Sequence, residues 1–222
     1  MKDRTLIVIA GPTASGKTAV AIELAKRLKT EIISADSRQI FREMNIGTAK
    51  PSAEELRAVT HHFINSHAVQ EAYDASRFGK DALQLIHRLF DRHSHLILCG
   101  GSGLYIKAVC EGFDDIPEIP SHIREDLVMN YKQSGLAWLQ EKMKQTHPGY
   151  YELIDRQNPQ RLIRALEVKI GTGSSLHAFH GRKAYQHTFN IIKIGLEPAR
   201  SLLYKRIDDR MDKMITEGLF EE

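Results

Sequence analysis

The sequence predicts an α/β protein whose parallel sheet is interrupted by a helical insertion. Apolar runs typical of buried strands alternate with segments of helical spacing, an order typical of parallel sheets covered by helices. A glycine-rich sequence follows the first of these runs and opens a helix. From residue 121 to about residue 173 the spacing is wholly helical, and strand character returns only near residue 189.

The elements of the core follow from local pattern. The predicted strands are residues 6–10, 31–35, 62–64, 95–99 and 189–195, and 62–64 is the weakest of them. The predicted core helices are residues 19–28, 75–92, 104–110 and 198–217. The helix at 75–92 has its apolar side chains on one face, as a helix packed on a sheet requires.

Two prolines and an acidic pair mark a domain boundary near residues 113–120. The sequence therefore predicts an α/β core formed by residues 1–113 and 186–222, with a helical insertion domain at 114–185. Residues 219–222 are typical of the start of another helix and include no stop signal, so we expect the sequence to be cut short at this point.

Composition limits the classes of function. The net charge is only +3, so no global field requires a nucleic-acid partner, and a basic face has to be argued locally. Cys99 and Cys110 have no CxxC partner, which argues against a disulfide framework or a zinc site. The N-terminus has no signal-peptide pattern and no apolar run approaches 18 residues. We expect a cytoplasmic protein without a membrane span, and a monomer.

The glycine-rich sequence matches the phosphate-loop pattern G-x-x-x-x-G-K-[ST], between a predicted strand and a predicted helix. Unpaired N–H groups at the helix start and the helix dipole attract phosphate there. Lys17 adds a full charge, and the Thr18 hydroxyl is a candidate Mg²⁺ ligand. The core is thus expected to be P-loop NTPase-like and to bind a di- or triphosphate, of a nucleotide such as ATP or of a leaving group. The phosphate-binding residues are Gly11, Pro12, Thr13, Ala14, Ser15, Gly16, Lys17 and Thr18.

Two other polar positions follow predicted strands, where ligands bind in parallel sheets. Asp36 ends the second strand and can accept a proton or hold Mg²⁺ through water, but it can also form an Asx turn or cap a helix. Ser102 follows the strand at 95–99 and offers a hydroxyl to a ligand or to the next helix start. Both interpretations stay open for both residues. The histidines at 61, 62, 93 and 95 complete no metal-ligand set, and we interpret them as structural.

Two pairs of arginines share helix faces. Arg161 and Arg164, in the insertion, suit backbone phosphates, whereas the alternative is a solvated face with Glu167 as partner. Arg206 and Arg210, on the last helix, could reach a phosphate at the sheet edge or pair with neighbouring aspartates.

Taken together, the ordered motifs resemble the tRNA dimethylallyltransferase family, whose members prenylate the adenosine next to the anticodon. The resemblance covers nearly the whole chain and depends on the order of the motifs more than on any one of them. The matching segments are residues 11–18, 33–39, 44–51, 61–62, 78–82, 100–105, 160–168 and 206–218.

The resemblance implies a role for each site residue. The phosphate loop would hold dimethylallyl diphosphate with Mg²⁺ and Thr18, Asp36 would be the general base, and Thr13 and Arg210 would contact the diphosphate. The contacts to the tRNA anticodon loop that the resemblance implies are Asp36, Ser37, Arg38, Gln39, Ser102, Arg124, Gln160, Arg161, Leu162, Ile163 and Arg164. Many family members have Thr where this chain has Ser102, and the hydroxyl is kept. Family members also continue past the position of Glu222.

Three rival functions remain. A phosphate-loop kinase would share the core and need ATP. A prenyltransferase acting on a free adenine nucleotide would share the donor site but not the tRNA face. A nucleotide-switched binding module is less favoured, because the guanine-reading N-K-x-D sequence is absent.

Overall fold

A computed structural model describes residues 4–113, 116–179 and 186–222. The chain divides into two compact units. One comprises Met1–Phe113 with Tyr185–Glu222, and the other comprises Asp114–Ala184. No helix in the described ranges is both long and apolar enough to cross a membrane.

The first unit is built on a five-stranded parallel sheet, which confirms the predicted α/β core. In order across the sheet the strands are β3, β2, β4, β1 and β5. Their bounds are β1 Thr5–Ala10, β2 Ile32–Ser34, β3 His61–His62, β4 His95–Gly100 and β5 Asn190–Gly195. Because Ala10 pairs with both Gly100 and Gly195, three strands end at one level, and the segments that follow them meet at one edge.

Five helices connect these strands or pack on them. They are α1 Lys17–Leu28, α2 Ala53–Ala58, α3 Ala75–Leu89, α4 Gly103–Cys110 and, after the second unit, α8 Arg200–Thr216. A 3-10 helix at Ile46–Thr48 lies in the long connection between β2 and α2. The helix α3 ends three residues before its predicted end, because the chain turns at Phe90, whose N–H still bonds the Ile86 carbonyl.

Side chains of β1 alternate between two apolar clusters, one on each face of the sheet. Leu6 and Val8 join the cluster beneath α3 and α4, and Ile7 and Ile9 join the cluster beneath α1. A strand covered on both faces needs no polar positions, which explains the uninterrupted apolar run at its position in the sequence.

The second unit is helical over its described residues. Its helices are α5 Ser121–Thr146, α6 Pro148–Tyr151 and α7 Pro159–Thr172, and a 3-10 helix follows at Leu176–Phe179. Gly135 interrupts α5 with φ of 74°, a backbone conformation that glycine adopts easily. The core lies between α5 and α7, where Leu139, Met143, Leu162 and Leu166 are buried.

Two of the four histidines examined in the sequence, His62 and His93, bind a carboxylate at the amino end of the sheet. Glu31, just before β2, accepts hydrogen bonds from His62 Nε2 at 2.6 Å and His93 Nε2 at 3.0 Å. Burial alone would raise the pKa of Glu31, but these two hydrogen bonds outweigh burial and leave the pKa lowered. The ionised carboxylate therefore ties β3 to the loop before β4.

We expect Glu31→Gln to lower the free energy of unfolding by about 1.5–3 kcal/mol at pH 7, the usual range for hydrogen bonds to a charged group. The folded-state pKa of Glu31 is below its unfolded value, so its contribution is present above the unfolded pKa and disappears as pH falls through the folded pKa. Urea denaturation at pH 7 and pH 3 measures both effects. Glu23→Gln, which removes only an exposed pair with Arg27, is the control. A deficit of the same size at both pH values would contradict the role of the charge.

Candidate active site

The phosphate loop, residues 11–16, connects β1 to α1 as the sequence predicts. Gly11 lies so close to the residue after β5, the neighbouring strand in the sheet, that a Cβ atom on it would be 2.7 Å from the Leu196 carbonyl oxygen. Gly16, the residue before α1, has φ of 90°, which an L side chain adopts only with strain. Glycine is thus required at position 11 by the close approach of another backbone segment, and at position 16 by the backbone conformation.

The start of α1 has unsatisfied donors. No side chain caps this helix in the described part of the chain, so its first N–H groups remain available, and the helix dipole adds positive potential. The hydroxyl of Ser15 is buried and has no hydrogen-bond partner among the described residues. A buried polar group without a partner is costly, and a bound anion would satisfy both it and the amides.

Lys17 lies over the loop. Its ammonium donates to the carbonyl oxygens of Gly11 at 3.0 Å and Pro12 at 2.6 Å. Burial lowers the pKa of Lys17, and the nearby Asp36 charge opposes that shift. A bound diphosphate would replace two neutral acceptors with a charged one, and charge-assisted hydrogen bonds are the stronger kind.

A cavity of about 410 Å³ opens at this edge of the sheet. The sequence-predicted residues that line it are Thr13, Ala14, Ser15, Gly16, Lys17, Thr18, Asp36, Gln39 and Arg210. Arg206, considered from the sequence as a residue that could reach a phosphate, also lines it, and so does Cys99, which the sequence did not single out as a site residue. Burial raises the pKa of the Cys99 thiol to about 11, so this residue contributes a neutral wall rather than a nucleophile.

Asp36 has one oxygen engaged and one available. Its Oδ1 accepts hydrogen bonds from the N–H groups of Arg38 at 2.9 Å and Gln39 at 3.3 Å. The Asx-turn interpretation is therefore correct for Oδ1. No described residue donates to Oδ2, and the residue lines the cavity. A carboxylate fixed through one oxygen can still accept a proton at the other.

Ser102 holds two strand ends together. Its hydroxyl accepts a hydrogen bond from the Ser37 N–H at 2.9 Å and donates to the Ser37 hydroxyl at 3.1 Å. Ser102 is the N-cap residue of α4, as the structural alternative has it, but its side chain makes no capping hydrogen bond. The backbones of these two strand ends also approach each other closely, because a Cβ on Gly100 would overlap the Ala35 carbonyl. This contact fixes Ser37, and with it the turn that orients Asp36.

The arginines of α8 face the cavity. Arg210 donates to the Thr48 carbonyl at 3.4 Å, and Arg206 lies near the loop glycine Gly16. Within the described part of the chain, neither forms an ion pair with a neighbouring aspartate of the helix, so the alternative considered from the sequence does not hold. Two cations thus line the edge that has the unpaired amides.

In the second unit, Arg124 and Arg164 meet on one carboxylate. Glu167 is buried, accepts a hydrogen bond from Arg124 at 3.0 Å and forms an ion pair with Arg164 at 3.2 Å. The predicted partner of Arg164 is confirmed, but two guanidiniums share one negative charge, so the group keeps an excess positive charge. Arg161 is more exposed, with its guanidinium 3.9 Å from Asp155.

Two of the predicted RNA contacts have buried side chains. Leu162 and Ile163 are 0% and 1% exposed and pack in the core of the second unit. Their side chains hold α7 on α5 and offer no free surface, because the apolar stripe of a helix packs inward. Gln160 and Arg161 are exposed on the same helix, and Arg38 is exposed after β2.

Comparison with known proteins identifies the family. Residues 39–222 match the IPP transferase family. A tRNA dimethylallyltransferase of Christiangramia forsetii is 48% identical over 217 residues, which are 98% of this chain and 72% of that protein. The chain belongs to the IPP transferase family. A further family member, the tRNA dimethylallyltransferase of Cytophaga hutchinsonii, is 44% identical over 220 residues, 99% of this chain and 72% of its own length.

Solved structures agree with the IPP transferase assignment. The full-length tRNA isopentenylpyrophosphate transferase of Bacillus halodurans is 38% identical, with a TM-score of 0.64 over 98% of this chain and 68% of that one. A eukaryotic dimethylallyltransferase acting on tRNA has a TM-score of 0.80 at 24% identity, covering 98% of this chain and 54% of that one. This last similarity concerns the fold. The P-loop NTPase-like core is confirmed.

We expect Lys17→Ala to weaken the binding of dimethylallyl diphosphate by roughly 10–100-fold, since one charged hydrogen-bond donor is removed. Isothermal calorimetry with Mg²⁺ present measures the affinity. Lys26→Ala removes the same charge from the far end of α1 and should leave the affinity unchanged. If both variants bind like the parent, the diphosphate does not lie on this loop.

Proposed function

We propose that this IPP transferase moves a dimethylallyl group from dimethylallyl diphosphate to the N6 amine of the adenosine adjacent to the anticodon in tRNA. The observation that supports this most directly is one cavity lined by both an anion-binding loop and a carboxylate, Asp36, with an available oxygen. A leaving group and a proton acceptor are what this transfer requires. The relatives' names support the choice of substrates.

The proposed reaction breaks one bond and forms one. The carbon–oxygen bond between the allylic carbon and the diphosphate breaks, and its electron pair leaves with the diphosphate. The adenine N6 lone pair forms the new carbon–nitrogen bond, and the amine proton passes to Asp36. The loop amides, Lys17, Thr13 and Arg210 would stabilise the charge that develops on the diphosphate.

The cavity fits a Mg²⁺ ion as well. The Thr18 hydroxyl is an oxygen donor of the kind that Mg²⁺ accepts, and sites of this type use few protein ligands beside substrate phosphates. Within the described ranges no three His, Cys, Asp or Glu residues form a metal cluster, so the diphosphate would supply most of the ligands. When bound, Mg²⁺ would neutralise charge on the leaving group.

Two surfaces support RNA binding in the proposal. Ser37, Arg38 and Gln39 follow Asp36 in the chain, and Gln39 lines the cavity. An extruded base would have to enter here, because a base in a loop reaches a buried donor only after leaving its stack. In the second unit, Arg161 and the excess charge of Arg124 and Arg164 over Glu167 suit backbone phosphates.

Both cysteines are free and buried, which supports a reducing, cytoplasmic setting.

We expect Asp36→Asn to lower single-turnover prenyl transfer by roughly 10²–10⁴-fold, the usual loss on removing a general base. Asn keeps the acceptor for the two turn amides but cannot take the proton. Asp74→Asn is the matched control, since Asp74 caps α3 through the Arg77 N–H and Asn caps as well as Asp. A transfer rate within about threefold of the parent would exclude Asp36 as the base.

Replacing Arg161 and Arg164 together with Gln should weaken tRNA binding and make affinity less sensitive to salt. The slope of log affinity against log salt should fall by roughly one for each phosphate that the arginines no longer neutralise. Binding of dimethylallyl diphosphate should not change. Arg156→Gln, in the same unit but paired with Glu152, is the control. Filter binding of tRNA at several salt concentrations measures the slope, and an unchanged slope would mean that this face does not contact RNA.

A further inference from the structure

The loop between β2 and α2 fixes two side chains of the cavity. Gln39 donates its amide hydrogens to the carbonyls of Thr48 at 3.1 Å and Ala49 at 3.0 Å, and Arg210 donates to the Thr48 carbonyl at 3.4 Å. Both side chains line the cavity. Their positions therefore depend on where the carbonyls of Thr48 and Ala49 lie.

That loop is in turn held from the segment after α8. The carboxylate of Glu222 accepts hydrogen bonds from three successive N–H groups, those of Asn45, Ile46 at 2.9 Å and Gly47 at 2.8 Å. Leu219 packs on the same place, since a Cβ on Gly47 would lie 3.1 Å from its Cδ1 atom. One side chain thus satisfies the donors that open the 3-10 helix at Ile46–Thr48.

The charges around Glu222 favour its ionised form. Hydrogen bonds from the N–H groups of Gly47 and Asn45 lower its pKa, and Lys50 adds to the effect. Lys50 itself donates to the Phe41 carbonyl at 2.7 Å and to the side chains of Asn45 and Asn65. Lys50 therefore holds the loop to nearby residues of the same part of the chain, whereas Glu222 holds the loop to the segment after α8.

We propose that Glu222 is a positioning residue for prenyl transfer: it holds the 45–49 loop so that Gln39 and Arg210 keep their places in the cavity. The inference rests on the proposed function, because it assigns Glu222 a part in that same site. The loop is not in a relaxed conformation, since Ala49 has φ of 45°. Without the carboxylate the loop is expected to relax to another conformation. A misplacement of about 1 Å can lower a reaction rate about 10²-fold.

Two variants separate this role from a general effect of charge. Glu222→Gln keeps the size but loses the charge and one acceptor oxygen, whereas Glu221→Gln removes the same charge one residue earlier. Glu221 accepts no hydrogen bond from the loop among the described residues. Amide hydrogen exchange reads the contact directly. We expect faster exchange at Asn45, Ile46 and Gly47 in Glu222→Gln, and parent-like exchange in Glu221→Gln.

The kinetic consequence is a lower rate in a protein that is still folded. We expect single-turnover transfer to fall roughly 10–100-fold in Glu222→Gln, with the melting temperature close to that of the parent, and no change in Glu221→Gln. A double variant with Gln39→Ala tests the connection. If Glu222 acts through Gln39 in part, the two losses together should be smaller than the product of the single losses.

Three outcomes would overturn the inference. Unchanged exchange at residues 45–47 would mean that Glu222 does not hold the loop. Faster exchange with an unchanged transfer rate would mean that the loop does not position the cavity residues. A parent protein that transfers no prenyl group to tRNA would overturn the proposed function itself, and the role of Glu222 with it. Only this last outcome concerns the function, so the two failures can be told apart.

Discussion

The site depends on one constraint, the set of unpaired N–H groups where β1 gives way to α1. Their position is fixed by the centre of the sheet, because β1 pairs with β4 on one side and β5 on the other. The chain can turn sharply there only because Gly11 and Gly16 tolerate the close approach and the backbone angle. The other charged groups of the cavity surround these donors, which we propose to bind an anion.

The surrounding charges suit the proposed anion. Lys17, Arg206 and Arg210 lie on the cavity wall, and the carboxylates of Asp36 and Glu55 lie on it as well. Asp36 is kept in place by the turn at Arg38 and Gln39, and that turn is tied to β4 through Ser102. The arrangement keeps one negative oxygen near a strongly positive site without neutralising it. Such a pair of opposed groups suits a reaction that expels an anion and removes a proton.

The fold and the phosphate loop could be predicted from the sequence because their signals are local. The apolar runs, the helical spacing and the glycines each act within a few residues, and the parallel sheet follows from their alternation. The exact ends of elements could not be predicted, since α3 stops where the chain turns at Phe90 and no glycine or proline marks that point. Chain turns of this kind depend on tertiary packing.

The sequence analysis mainly failed to predict contacts between residues that are far apart in the chain. Leu162 and Ile163 belong to a motif associated with RNA contact, and their apolar character was the sequence signal that they pack in the core against α5. The bonds from Glu222 to residues 45–47 join positions far apart in the chain, and no spacing rule could have found them. The sequence places Cys99 at the end of a predicted strand, but only the strand order shows that it lines the cavity.

The most direct test of the proposed function is to identify what the cavity transfers. The protein would be incubated with dimethylallyl diphosphate, ATP and an anticodon stem-loop RNA, and the RNA digested and examined by mass spectrometry. We expect one dimethylallyl group on N6 of the adenosine adjacent to the anticodon, with diphosphate released and ATP left intact. A phosphoryl group transferred from ATP, or no dimethylallyl group on the RNA, would contradict the proposed function.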